Sequence, residues 1–125
     1  MKYLFFLLFF IPFVQISAQT TIPGKEEVIT LLCHKWHAEE IIAGNKKQKA
    51  LPYVGYTRYK TDLTYEDKDG DHVEKGTWQY DEATNKLTLS SGSVYTIKEI
   101  SATRLVVGFV MEGMAGGFVF KNIGD

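Results

Sequence analysis

The chain has 125 residues and one cysteine, Cys33, so it contains neither an internal disulfide nor a thiolate cluster for zinc or iron–sulfur. It has no basic surplus: 14 Lys and Arg stand against 15 Asp and Glu, giving a formal charge of -1. That balance excludes a surface built to hold a polyphosphate backbone, and no nucleic-acid partner is expected. There are only three prolines, no internal repeat and no low-complexity tract. No Gly-x-Ser-x-Gly elbow, His-Glu-x-x-His pair or phosphate-cradling glycine loop occurs. The sequence therefore gives no support for catalysis, and no cofactor is expected. A length of 125 residues allows one domain.

Aromatic residues are plentiful and unevenly spread. Six of them (Tyr3, Phe5, Phe6, Phe9, Phe10, Phe13) fall in the first thirteen residues, and every glycine lies after them. Met1-Lys2 is a short positive start, Tyr3 to Val14 is apolar apart from Pro12, and Ile16-Ser17-Ala18 ends the run with small residues. Charge, short apolar run and small-residue exit describe a secretory signal peptide over residues 1–18, with cleavage leaving Gln19 first. The run falls short of the roughly 20 residues a helical span needs, so the mature chain, 19–125, is expected to make no stable membrane insertion. Cys33 comes too late to serve as a lipoprotein anchor. The expected location is secreted, periplasmic or otherwise in the cell envelope.

Beyond the leader the periodicity is helical once and then alternating. Val28, Leu31 and Leu32 recur at three and four between Lys25 and Cys33, with Glu26 and Glu27 in the first turn, where the helix dipole favours negative charge. After that, period two dominates: Tyr59, Thr61, Leu63 and Tyr65 in one run, Trp78 and Tyr80 in another, then Leu87 and Leu89, then Tyr95 and Ile97. Such alternation marks strands with one buried face. Turn-forming clusters bound seven strands, roughly 35–43, 54–66, 72–80, 86–91, 93–100, 104–112 and 117–123, with an eighth if the long second run bends. The lysine-rich stretch Asn45 to Lys49 reads as a solvated loop. No crossover helix separates the strands, which excludes parallel βαβ topology. Sequential antiparallel strands remove their exposed edges by closing on themselves. The fold class is all-β, an antiparallel up-and-down barrel of 7–8 strands with a short N-terminal helix.

Particular motifs carry a resemblance. A short helix leads into a strand bearing Trp36. Gly76-Thr77-Trp78 follows a charged turn, then comes Asn85-Lys86-Leu87-Thr88-Leu89, and Tyr95-Thr96-Ile97-Lys98-Glu99-Ile100-Ser101 precedes Leu105-Val106-Val107. Over essentially the whole mature chain this resembles the small lipocalin-like domain family of secreted and envelope proteins of Bacteroidetes. The resemblance implies an antiparallel up-and-down barrel with the N-terminal helix near one mouth, binding a small molecule by analogy with lipocalins.

The face expected to point inward gathers Trp36, Tyr59, Leu63, Tyr65, Trp78, Tyr80, Leu87, Leu89, Tyr95, Ile97, Leu105, Val107, Phe109, Phe118 and Phe120. A barrel of about eight strands is either filled by side chains or holds one small ligand. Trp36, Tyr59, Leu63, Trp78, Tyr80, Tyr95, Phe109 and Phe118 are the candidate ligand-binding residues, since aromatic bodies with polar tips line small-molecule sites. The expected partner is a small hydrophobic or amphipathic ligand. The alternative is a packed barrel acting as a structural module or as a protein or glycan interaction module. Val106, Val110 and Val119 are apolar in the opposite phase, which calls for cover by the helix or by a protein partner.

Three smaller constellations have plain structural readings. Cys33, His34 and His37 straddle the helix–strand junction and read as a surface or packed corner, with Cys33 a small buried apolar residue, not a metal site. Asp67-Lys68-Asp69-Gly70-Asp71 has the opening of a calcium loop but its glycine is in the fourth place, so it reads as a polar hairpin turn. Arg58 and Arg104 alternate outward, and Glu39, Glu40, Glu74 and Glu99 read as ordinary strand or edge charges.

Overall fold

The computed structural model describes residues 22–49 and 55–125. The expected signal peptide and the cleavage point after Ala18 lie outside the described residues. The chain begins with α1 (Lys25–Leu32) and continues as β1 (Lys35–Ala43), β2 (Lys46–Lys49), β3 (Gly55–Tyr59), β4 (Thr64–Asp69), β5 (His72–Asp81), β6 (Lys86–Leu89), β7 (Val94–Ile100), β8 (Arg104–Met111) and β9 (Met114–Gly124). Every pairing is antiparallel between sequence neighbours except two. β1 pairs with β3 through Lys35 and Trp36, and with β9 along most of its length, which closes an eight-stranded barrel from β1 and β3–β9. Closure pairs each of those strands on both sides over at least part of its length. β2 continues the β3 side of β1, opposite Glu40–Ala43.

Two expectations change. The run 54–66 is two strands. Lys60–Leu63 make a turn in which Lys60 N–H donates to Thr64 O at 2.9 Å and Leu63 N–H to Lys60 O at 3.0 Å. Tyr59 and Tyr65 consequently face each other across the hairpin. Leu63 sits in that turn with φ 68° and is 46 % exposed. Its apparent place in the alternation Tyr59, Thr61, Leu63, Tyr65 is broken by the chain reversal, and it belongs neither to the inward face nor to any lining. The lysine-rich stretch is a strand, β2, exposed at every residue, with its backbone paired to β1.

The two ends of the barrel differ in kind. At one, α1 packs Val28 and Leu32 into the same core cluster as Trp36, Tyr80, Leu87 and Leu105. The short helix is fixed at both termini. Lys25 N–H donates to Glu82 Oε2 at 2.9 Å, tying its N-terminus to the β5–β6 turn, and the Trp36 indole N–H donates to Leu32 O at 2.8 Å at its other end. Those are the groups that a helix leaves unsatisfied, so residues outside it supply what eight residues alone cannot. The other end carries the tight turns Gly70-Asp71, Ser90–Ser93 and Glu112-Gly113 and no helix among the described residues. Glu112 and Gly113 have φ 52° and 78°, the positive pair that a two-residue hairpin of matching twist requires.

Glycine permits one close approach within the sheet. Gly76 faces Tyr65 across β4–β5, and a Cβ there would lie 2.7 Å from Tyr65 Cε1 and against Ser90 Oγ. The glycine of the Gly76-Thr77-Trp78 motif thus lets the Tyr65 ring lie flat over β5.

Candidate functional site

The register assigns each wall of the barrel interior. Trp36, Tyr59, Tyr65, Trp78, Tyr80, Leu87, Ile97, Leu105 and Val107 fill the helix end and the middle, all buried. Three of their polar tips are satisfied within this packing: Trp36 Nε1–H donates to Leu32 O, Trp78 Nε1–H to Lys60 O at 3.1 Å, and Tyr80 O–H to Asn85 Oδ1 at 3.0 Å. Burial, with Glu82 and Asp81 nearby, raises the Tyr80 phenol above its ordinary range. Trp36, Trp78 and Tyr80 are therefore structural residues of the closed end.

Tyr95, Phe109 and Phe118 stand together at the other end. Tyr95 meets Phe109 and Phe118 edge-on, at centroid distances of 6.2 and 6.4 Å, and Phe109 lies 5.2 Å from Phe118. These are favourable aromatic geometries. β7 and β8 pair only as far as Thr96 and Gly108, so Val94 and Tyr95 part from Phe109 and Val110 at the rim. An open cavity of about 480 Å³ occupies this gap, reached past Ser91, Ser93 and Met111. Its size falls in the range of small-molecule sites. Half-burial raises the Tyr95 phenol, while a hydrogen bond from Ser93 opposes the shift.

Of the eight candidate residues, the structure brings three to this opening (Tyr95, Phe109, Phe118) and four to the packed interior (Trp36, Tyr59, Trp78, Tyr80). It puts Leu63 on the surface at the far end. Tyr59 differs from the other three candidates in the packed interior. It is 4 % exposed, its hydroxyl has no hydrogen-bond partner among the described residues, and burial followed by Tyr95, Asp67 and Tyr65 drives its phenol far above the ordinary range.

The remaining mouth wall was missed in the sequence. Asp67 and Asp69 follow Tyr65 at the inward period, and Asp67 pairs with Glu74, and Asp69 with His72, across β4–β5. Glu74, an exposed strand charge, thus shares the face of Trp78. Burial and then the neighbouring Glu74 raise the Asp67 carboxyl above the usual range, against a hydrogen bond from Thr57. The signal was the period-two pattern itself, carried past the last apolar residue of each strand. The Asp67–Asp71 segment does turn at Gly70, with φ 63°.

The other named groups lie outside the cavity. Arg58 and Lys60 flank Glu66 at 3.8 and 3.7 Å, and Arg104 pairs with Glu99 at 3.1 Å, all on the outer face. His34 Nδ1 contacts Leu31 O at 3.0 Å and His37 Nδ1 contacts Gly55 O at 2.8 Å, so each imidazole serves a separate backbone carbonyl. Burial and Asp62 raise the Cys33 thiol. Val106 pairs with Val119, and Val110 with Ala115, on the outer wall. α1 packs into the barrel end, not against this wall; Val119 is 1 % exposed and Val110 74 %. No helix among the described residues is long and apolar enough to cross a membrane.

No curated protein and no solved structure shows significant similarity to the chain. A family model does: the lipocalin-like domain matches residues 32–107, from the end of α1 through the strands that carry Trp36, Trp78 and Tyr95. With that match over more than half of the sequence and a closed antiparallel barrel around it, the chain belongs to the lipocalin-like domain family.

Proposed function

We propose that this chain is a non-enzymatic binding protein, secreted or resident in the cell envelope, that holds a small apolar or amphipathic molecule at the open mouth of its barrel. One observation carries the proposal: the end away from the helix opens onto a cavity of about 480 Å³ walled by Tyr95, Phe109 and Phe118. Rings exposed at a mouth gain from being covered, at about 25 cal/mol per Å² removed from water. A ligand that buries about 300 Å² of apolar surface gains roughly 7 kcal/mol before the cost of association, which puts its affinity at micromolar or weaker. The secretory leader read at residues 1–18 supports the location, and N-terminal sequencing of exported material should find Gln19 first.

The direct test is titration with the neutral fluorophore N-phenyl-1-naphthylamine. The wild-type protein should bind it, Phe109→Ala and Phe118→Ala should weaken binding while remaining folded, and Lys60→Ala, on the outer face at the helix end, should not. A second reading, a module that meets a protein or glycan, draws on the outer wall, where Val110, which also borders the cavity, is 74 % exposed beside Val106. It predicts the reverse pattern: no binding of the probe in the mouth, and loss of association on Val106→Ser.

A further inference from the structure

The mouth has two chemically different walls, and their pairing selects a ligand. Across from the rings of β7–β9, β4 and β5 turn Asp67, Asp69 and Glu74 to the same interior. None of the three carboxylates forms an ion pair among the described residues. The basic side chains that the register puts on that face are His72, beside Asp69, and Lys46, opposite Ala43 on β1; both are exposed. Three carboxylates against one lysine leave the rim negative.

An acidic rim alone defines no site. The second observation lies deeper. Tyr59 is buried to 4 % exposure, its hydroxyl has no hydrogen-bond partner among the described residues, and Tyr95 and Asp67 are the polar groups whose fields act most strongly on it. A buried hydroxyl without a partner costs free energy, and that of Tyr59 lies within the field of Tyr95 on the aromatic wall and Asp67 on the acidic one. The raised Asp67 carboxyl fits the same arrangement, because burial and then like charge from Glu74 oppose its ionised form, and a cation beside it would relieve both.

We infer that the mouth takes an amphiphile with a cationic head, a protonated amine held between Asp67 and Glu74, its apolar body lying on Phe109 and Phe118. The inference rests on the mouth being the binding site proposed above and names the class of molecule it selects. A cation there relieves carboxylate repulsion, whereas a carboxylate head adds to it. The Tyr59 hydroxyl, as acceptor, receives an ammonium N–H.

The experiment is displacement of bound N-phenyl-1-naphthylamine by three decyl compounds that differ only in head group: decylamine, decanol and decanoate, at pH 7. Decylamine should displace the probe at a concentration at least tenfold lower than decanoate, and the preference should shrink at 1 M salt. Asp67→Asn should weaken decylamine severalfold and leave decanol unchanged. Glu74→Gln, on an exposed residue, should act in the same direction and serves if the first variant folds poorly. Decanoate or decanol binding as well as decylamine, or neither variant lowering the amine's affinity, overturns the cation selection while the mouth remains a binding site. Failure of all three decyl compounds to displace a bound probe overturns it too. Failure of the probe itself to bind the wild-type protein removes the binding reading on which it rests.

Discussion

Replacing Gly76 by alanine is the sharpest single perturbation of this barrel. The new methyl would sit 2.7 Å from Tyr65 Cε1 and 3.0 Å from Cζ, well inside contact distance. Tyr65 cannot swing away, because it is 2 % exposed and its ring is 6.5 Å from that of Tyr59, which in turn abuts Trp78 edge-on at 6.0 Å. The methyl also meets Ser90 Oγ, which accepts a hydrogen bond from Thr77 N–H at 3.0 Å. Overpacking of a fixed core ring costs about 1–3 kcal/mol, and loss of the Ser90 bond about 1 more. Alanine's lower backbone entropy in a strand returns roughly 0.5–1 kcal/mol, leaving a net destabilisation of about 2 kcal/mol. With a urea m-value of about 1–3 kcal/mol/M for a domain of this size, the midpoint should fall by roughly 1–2 M with m unchanged. Gly108→Ala is the control. A Cβ there meets only the flexible end of Lys98 at 3.0 Å, and Gly116 O at 3.6 Å, so the midpoint should hardly move. In a Tyr65→Leu background the Gly76→Ala penalty should largely vanish, a coupling of about 1 kcal/mol or more. If Gly76→Ala is as stable as wild type, or its penalty survives without the ring, the packing account of this motif is wrong.

Three further outcomes are expected. Leu63→Gly should change stability by no more than about 1 kcal/mol, since it relieves a left-handed leucine and buries nothing; a loss above about 2 kcal/mol would return Leu63 to the core. The folded-state pKa of Asp67 is raised, so between its unfolded and folded values the native state binds the extra proton. Stability from this group is therefore highest below about pH 4 and falls as pH rises through that window. Asp67→Asn removes the slope, so its stability relative to wild type should be greater at pH 7 than at pH 3.5; an equal or reversed gap in urea midpoints contradicts the assignment. Trp36→Phe should weaken the closed end by about 1–2 kcal/mol and loosen α1, visible as faster amide exchange in Val28 to Leu32, because the Leu32 carbonyl loses its indole donor.

Much of this architecture was legible because period two and turn chemistry agree. Trp78, Tyr80, Leu87, Leu89 and Ile97 all lie where their alternation points, and the eighth strand follows from a bend in the long second run. Legibility ended where a reversal imitates a strand. Thr61 and Leu63 continue the alternation of Tyr59 and Tyr65 in one dimension, and only the Lys60–Thr64 and Lys60–Leu63 hydrogen bonds show that the chain has turned. For the site, apolarity was a misleading guide. The aromatic residues divide by position along the barrel axis, which the period cannot report: Trp36 and Tyr80 lie under the helix, whereas Tyr95 and Phe118 lie at the open end. The carboxylates of the mouth were hidden for the opposite reason. Asp67 and Glu74 are polar, and a charged residue in the inward phase near a turn looks like a solvated strand end until the register puts it across from its neighbour. β2 was also unreadable, since Lys46–Lys49 join the barrel through backbone pairing alone and bury no side chain.

The central claim is that the mouth, not the outer wall, is where this barrel meets a small molecule. Nuclear Overhauser contacts between bound decanol and the assigned protein test it directly. The account predicts contacts from the alkyl protons to the rings of Tyr95, Phe109 and Phe118 and to the Met111 methyl, with none to Leu87 or Tyr80 at the closed end. Contacts confined to Val106 and Ile42 on the outside, or to the residues beneath α1, would contradict it.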